Sequence, residues 1–255
     1  MSAKFLFIPV SSPRGIGEYM RSLTLAQSLR ERDSEAEIAF ILSEAAPYTK
    51  DCPFPVYLCL SSPTHHSAKV KHYIDTFKPT VVIFDAAGRA AQLKHAKHSG
   101  AHTVFICQHK KKLAKALGLR RLSHTDALWW VQPTSMLNTL NPWAKIKLAT
   151  LAKNKLHCIG PIVRTPDAVT ITETLKKYRL ENKTFVLINA GSGGHSVNGE
   201  SAADIFARVG RRIIQAEPNK KVVIVYGPNY QLPLNVEDGC IHIPSLTPTE
   251  FSSLL

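Results

Sequence analysis

Short apolar runs alternate with helix-period segments along most of this chain, and that alternation limits the folds open to it. The strongest run is 80–86, TVVIFDA, apolar at consecutive positions until Asp85. A half-exposed strand alternates apolar and polar residues, so a continuous run suits a parallel strand buried on both faces. Further strands are predicted at 4–10, 37–42, 56–60, 102–108, 127–132 and 156–159. Helices are predicted over 17–32, 67–77 and 89–98, the first with Met20, Leu23, Ala26 and Leu29 at helical spacing. Strands separated by helices imply βαβ units, an α/β class and a parallel sheet.

The pattern pauses at 160–166, GPIVRTP, and then restarts. A helix is predicted at 171–178, a strand at 185–189, a helix at 201–216, strands at 222–226 and 240–243, and a helix opening at 247. The expected organisation is a first Rossmann-like domain at 1–160, a linker at 161–169 and a second domain from 170 to 255. At 255 residues both units can hold a core. The second has too few elements for a complete doubly wound domain, so it is expected to be truncated.

Charge is unevenly spread. Residues 1–160 carry 22 Lys and Arg against 10 Asp and Glu, whereas 161–255 carry 10 against 9. The stretch 86–125 has nine cations and no carboxylate. Within it, HKKKLAKALGLRRL interleaves leucines with cations, and three tryptophans follow at 129, 130 and 143. A helix of that pattern suits an anionic membrane surface; it equally suits a solvated basic helix packing its leucines on the sheet. Nucleic acid is not an expected partner, because there is no aromatic–basic RNA motif, helix-turn-helix signature or zinc finger. No apolar run approaches the roughly 18–20 residues of a membrane span, and the N-terminal apolar stretch reads as a strand rather than a secretory signal. Five scattered cysteines without CxxC spacing point away from zinc and from a disulfide framework, and toward a reducing cytoplasmic compartment.

Two glycine turns and one carboxylate carry the candidate chemistry. In 10–26, VSSPRGIGEYMRSLTLA, a strand feeds a loop containing Gly15 and Gly17 and then a helix. Glycines allow close backbone approach, and the first helical turn attracts anions; a ligand-free strand–helix turn has the same pattern. In 185–195, FVLINAGSGGH, a strand runs into Gly191, Ser192, Gly193 and Gly194, where a diphosphate could lie across unobstructed N–H groups. His195 follows and joins the candidate binding residues. Asp85 ends the central strand, where ligands sit in open α/β sheets, and it is also well placed to cap the helix after it.

The segments GIGEYMRSLTLAQSLRER and VLINAGSGG together resemble nucleotide-sugar enzymes of the two-Rossmann-domain (GT-B) superfamily. The first is similar to the glycine motif of the bacterial UDP-GlcNAc transferases of lipid II synthesis. It is more similar still to that of the UDP-sugar hydrolases of pseudaminic acid biosynthesis, Gly-x-Gly-His-x-x-Arg-x-Leu-x-Leu-Ala. Arg21 matches the arginine of that motif, and Glu18 stands where the histidine would be. The resemblance implies an acceptor on the first domain and a UDP-sugar on the second. Glu18 can take a proton from a sugar hydroxyl, or serve only as a carboxylate at a helix N-terminus. A later donor motif of these families has no counterpart after Gly227.

The expected function is therefore a glycosyltransferase moving a sugar from a nucleotide-sugar donor, UDP-linked, to a glycan or lipid-linked acceptor of cell-envelope polysaccharide. Glu18 and Asp85 are the candidate catalytic carboxylates. Gly15, Gly17, Arg21, Gly191, Ser192, Gly193, Gly194 and His195 are the candidate binding residues, and neither metal nor cofactor is expected. The alternatives are a nucleotide-sugar hydrolase of nonulosonic-acid biosynthesis and a non-catalytic remnant. The membrane reading of the basic segment, where it holds over the solvated helix, implies peripheral contact with the inner face of an anionic membrane.

Overall fold

A computed structural model describes residues 3–12, 15–163, 165–181, 184–231, 233–234 and 238–255. Pro13 and Arg14 of the glycine loop and Arg164 of the linker lie outside the described residues. The chain divides into two compact units, Met1–Ile162 and Val163–Leu255.

The first unit runs β1 (Lys4–Pro9), α1 (Gly17–Arg32), β2 (Glu37–Ser43), β3 (Val56–Cys59), α2 (Ser67–Phe77), β4 (Val81–Asp85), α3 (Ala90–His98), β5 (His102–Cys107), α4 (Lys110–Ala116), α5 (Leu119–Leu122), β6 (Ala127–Trp130), α6 (Pro142–Leu151) and β7 (Leu156–Cys158). Its strands form one parallel sheet in the order β3-β2-β1-β4-β5-β6-β7. Strand order reverses between β1 and β4, where Phe5 to Pro9 pair with Val81 to Asp85. Alternate strand residues feed two cores. Leu6, Ile8, Val82, Phe84, Phe105 and Trp130 pack with Val70, Leu93, Leu113 and Ala144 on one face. Phe7, Phe40, Ile83 and Ile106 pack with Tyr19 and Ala26 of α1 on the other. Side chains buried on both faces account for the unbroken apolar run of β4.

The basic segment forms two short helices, α4 and α5, and its apolar side is not available to a membrane. Leu113, Ala116, Leu117 and Leu122 are buried in the core, and only Leu119 is exposed. The leucines satisfy the sheet first because burying each contributes about 1.5–3 kcal/mol. The sequence pattern did not foresee α6, whose start is fixed by Asn141 accepting from the Ala144 N–H and by Pro142 in its first turn.

The second unit runs α7 (Ala168–Lys177), β8 (Phe185–Asn189), the short hairpin β9 (Ser196–Val197) and β10 (Glu200–Ser201), α8 (Ala202–Ala216), β11 (Lys221–Val225), β12 (Ile241–Ile243) and α9 (Pro248–Ser253). Helix α7 opens three residues before its predicted start, because Asp167 accepts from the Thr170 N–H as an N-cap. The sheet is parallel, β12-β11-β8, with α8 on one face and α7 and α9 on the other. Capping sets the helix ends here too: Ser201 accepts from Ala203, and Thr247 with Glu250 forms a reciprocal capping box at α9.

Among the described residues, no helix is long and apolar enough to cross a membrane.

Candidate functional site

Helix α1 and the C-terminal ends of β4 and β5 bring together one polar network in the first unit. Asp85 ends β4 and is fully buried. Its carboxylate accepts from Arg21 Nε at 2.8 Å and from Arg21 Nη2 at 2.5 Å, and Ser22 Oγ donates to it at 3.3 Å. Arg21 and Ser22 lie on α1, one turn beyond Glu18. Arg21 Nη2 also donates to Gln108 Oε1 at 2.6 Å, and Gln108 Nε2 donates to Glu18 Oε1 at 2.8 Å. Gln108 itself is held by Gln132, whose side chain donates to the Gln108 carbonyl. The line Asp85–Arg21–Gln108–Glu18 thus runs from the buried strand end to a partly exposed carboxylate.

Burial raises the Asp85 carboxyl from 3.8 to about 6, against the opposing pull of the Arg21 guanidinium. Asp85 does not cap α3, as the sequence allowed. That helix begins at Ala90, with Arg89 at its N-cap, and the Asp85 side chain is turned to the arginine instead. The chain bends sharply after Asp85, with Ala86 in the left-handed region at φ 57°.

The glycine loop after β1 closes on itself through a Ser12–Gly15 bridge. Tyr48 clamps it: its hydroxyl accepts from the Ser12 N–H at 3.2 Å and donates to the Gly15 carbonyl at 3.1 Å. Its ring stacks on Tyr19 with centroids 4.4 Å apart. Neither Gly15 nor Gly17 is in the left-handed region, and a Cβ on Gly17 would meet nothing within 4 Å. Gly17 therefore leaves open space in front of α1. Gln108 and Tyr48 escaped sequence reasoning. For Gln108 a signal existed, since it directly follows a buried strand, where ligand-facing residues sit.

In the second unit, the turn after β8 is built by backbone rather than side chains. Asn189 Oδ1 accepts from the Gly191 N–H at 2.9 Å, and Gly191 and Gly193 take φ of 69° and 76°. Gly193 is buried, not open to a ligand: a Cβ there would lie 2.4 Å from the Tyr226 carbonyl. Gly227 repeats this from the facing turn, its Cβ position lying 2.3 Å from the Gly191 carbonyl. Ser192 is partly buried, and its carbonyl accepts from the Asn229 N–H at 2.9 Å. Gly191, Gly194 and His195 are exposed. The open side of the turn therefore belongs to these three, while Gly193 holds two turns together.

Elsewhere in this unit Asp238, Cys240 and His242 place potential ligand atoms within 4.8 Å of one another. They form a closed polar network. His242 Nε2 pairs with Asp238 at 2.6 Å, His242 Nδ1 meets the Tyr226 hydroxyl at 2.9 Å, and Arg211 donates to Asp238 at 3.3 Å.

No family model matches the chain, and no curated protein matches it. Solved structures do. A UGT transferase from Siraitia grosvenorii, in complex with UDP, is 12% identical with a TM-score of 0.59, over 97% of this chain and 72% of that one. A candidate UDP-N-acetylglucosamine 2-epimerase from Listeria monocytogenes is 13% identical with a TM-score of 0.56, over 99% and 72%. The S. aureus MnaA structure with UDP is 15% identical with a TM-score of 0.57, over 99% and 71%. Likeness at such identities carries the fold, and with the two parallel sheets it identifies this chain as an α/β protein of the GT-B fold.

Proposed function

We propose that the chain is a GT-B glycosyltransferase that moves a sugar from a UDP-linked donor to a glycan or lipid-linked acceptor. The observation that carries the reading is Glu18. It is a partly exposed carboxylate at the point where strand order reverses, oriented by Gln108 and distinct from the buried Asp85. In this reading the acceptor hydroxyl lies against Glu18, which takes its proton as the oxygen attacks the anomeric carbon. The bond from that carbon to the diphosphate breaks, and UDP leaves with the electron pair. On the second unit, the N–H groups on the open side of the 191–195 turn are the groups proposed to hold the UDP diphosphate. Asp85 and Arg21 hold Glu18 through Gln108 and touch neither substrate, which makes them positioning residues. Neither metal nor cofactor enters the proposed step.

The UDP held by the Siraitia and S. aureus proteins supports the donor assignment. The exposed Lys110, Lys111, Leu119 and Trp143 support a peripheral contact with anionic membrane.

The test incubates the chain with a panel of UDP-sugars, with and without glycan and lipid-linked acceptors, and measures UDP release and the sugar product. Release that requires an acceptor is the expected result. Release into water alone would indicate the hydrolase. A changed sugar still attached to UDP would indicate epimerisation. No binding of any UDP-sugar would overturn the nucleotide-sugar reading and leave the non-catalytic remnant.

A further inference from the structure

Behind the sharp bend after β4, the first unit has a cavity of about 220 Å³. Among the described residues, Arg89, Lys112, Lys115 and Arg121 line it together with Ala86, Ala87 and Gly88, and no carboxylate does. Three of these cations are tied to backbone carbonyls rather than to acids. Lys112 Nζ donates to Ala86 O at 3.1 Å, Arg121 Nε to Gly88 O at 3.2 Å, and Arg89 Nε to Thr64 O at 3.0 Å. Such bonds fix the cations in place and leave their charge unneutralised. The carboxylate nearest in sequence, Asp85, is already occupied by Arg21. The whole stretch 86–125 supplies no other.

Four like charges around one concavity repel one another, and a bound anion would relieve that repulsion. The volume is below the roughly 300–1,000 Å³ of sites that enclose a drug-sized ligand. It suits a small charged group rather than a nucleotide sugar. Two guanidinium forks and two ammonium groups match the several oxygens of a phosphate better than the two of a carboxylate.

We propose that this cavity binds a phosphate-type anion, and that the acceptor of the first unit carries this group as a phosphomonoester or a pyrophosphate. The second half of the inference rests on the transferase reading; the anion site does not.

The experiment titrates inorganic pyrophosphate into the full 255-residue chain by calorimetry, with no donor present. Lys115→Gln is the informative variant, because its ammonium ties down no carbonyl in the fold. Lys153→Gln, an exposed lysine outside the cavity, makes the same change in net charge. The expected result is saturable binding that weakens at least tenfold in Lys115→Gln and stays within twofold in Lys153→Gln. Arg89→Gln, checked for folding by circular dichroism, should weaken it similarly. Absence of binding, or equal loss in both lysine variants, would overturn the site. A second arm uses vesicles of phosphatidic acid in phosphatidylcholine. Lys115-dependent vesicle binding that pyrophosphate competes away would place the phosphate on a lipid, and vesicle binding blind to Lys115 would place it on a soluble acceptor. Pyrophosphate binding without any sugar transfer would leave the anion site standing and remove the transferase reading.

Discussion

The side-chain amide of Gln108 donates to Glu18 at 2.8 Å, joining the residue after β5 to the first turn of α1 across 90 positions of sequence. The same amide accepts from Arg21, so its orientation is fixed from both ends. If Glu18 is the base, Glu18→Gln should lower turnover by about 10²–10⁴ while the unfolding midpoint stays put. Gln108→Leu should lower kcat less, because it removes the amide that orients the carboxylate and leaves the carboxylate itself. Unchanged kcat in Gln108→Leu, with a lowered unfolding midpoint, would assign Gln108 to folding alone.

The Asp85–Arg21 pair sets a pH dependence of stability. The folded protein holds the Asp85 proton up to about pH 6, whereas an unfolded chain releases it near 3.8. Between those values the folded state binds more protons, so this group makes stability fall as pH rises from 3.8 to about 6. Asp85→Asn should remove that component from denaturant midpoints measured across the window. Arg21→Met leaves a buried carboxylate without its partner and should cost about 3–5 kcal/mol at pH 7. The loss should be smaller at pH 5, where the orphaned carboxyl is protonated. Equal losses at both pH values would mean that Asp85 is not the titrating group.

Much of the architecture was legible because the strands are buried on both faces. The runs ending in Asp85, Asn189 and Tyr226 stand out from any helical period and locate the sheets by themselves. Helix starts were less legible where a side chain decides them, as Asp167 does for α7 and Asn141 for α6. The glycine-rich turn could be located but not interpreted. Whether a glycine faces a ligand or another backbone depends on the Tyr226–Gly227 segment, more than 30 residues away. The basic run showed the same limit: its charges were evident, but only the fold separates Lys112 and Lys115, which line a cavity, from Lys110 and Lys111, which do not.

Gly193 and Gly194 of the 191–194 turn should respond in opposite ways. Gly193→Ala places a Cβ at 2.4 Å from the Tyr226 carbonyl in a left-handed backbone, so it should destabilise the second unit by about 1–3 kcal/mol or more. Gly194→Val meets only Asn229, at ordinary contact distance of 3.5 Å, and should fold normally. If the turn holds the donor diphosphate, Gly194→Val should weaken UDP binding at least tenfold by calorimetry. Unchanged UDP affinity in this folded variant would take the turn out of the donor site.

Membrane contact, if it is part of the function, must now rest on exposed groups, because the leucines of α4 and α5 are committed to the core. Lys110 and Lys111 are exposed on α4, and Trp143 and Ile146 are exposed on α6. A cation near an anionic surface contributes about 1 kcal/mol. The chain should therefore co-sediment with vesicles containing acidic lipid and not with neutral ones. Attraction is screened over roughly 8 Å at physiological salt, so binding should fall as salt is raised. The variant Lys110→Gln with Lys111→Gln should bind several-fold less, and adding Trp143→Ala should lower binding further without affecting the fold. Lys112 is left in place, because its ammonium holds the Ala86 carbonyl and its loss would disturb the bend after β4. Equal sedimentation of the wild type and the double variant, or equal binding to neutral vesicles, would make the exposed lysines a solvated surface and the acceptor a soluble molecule.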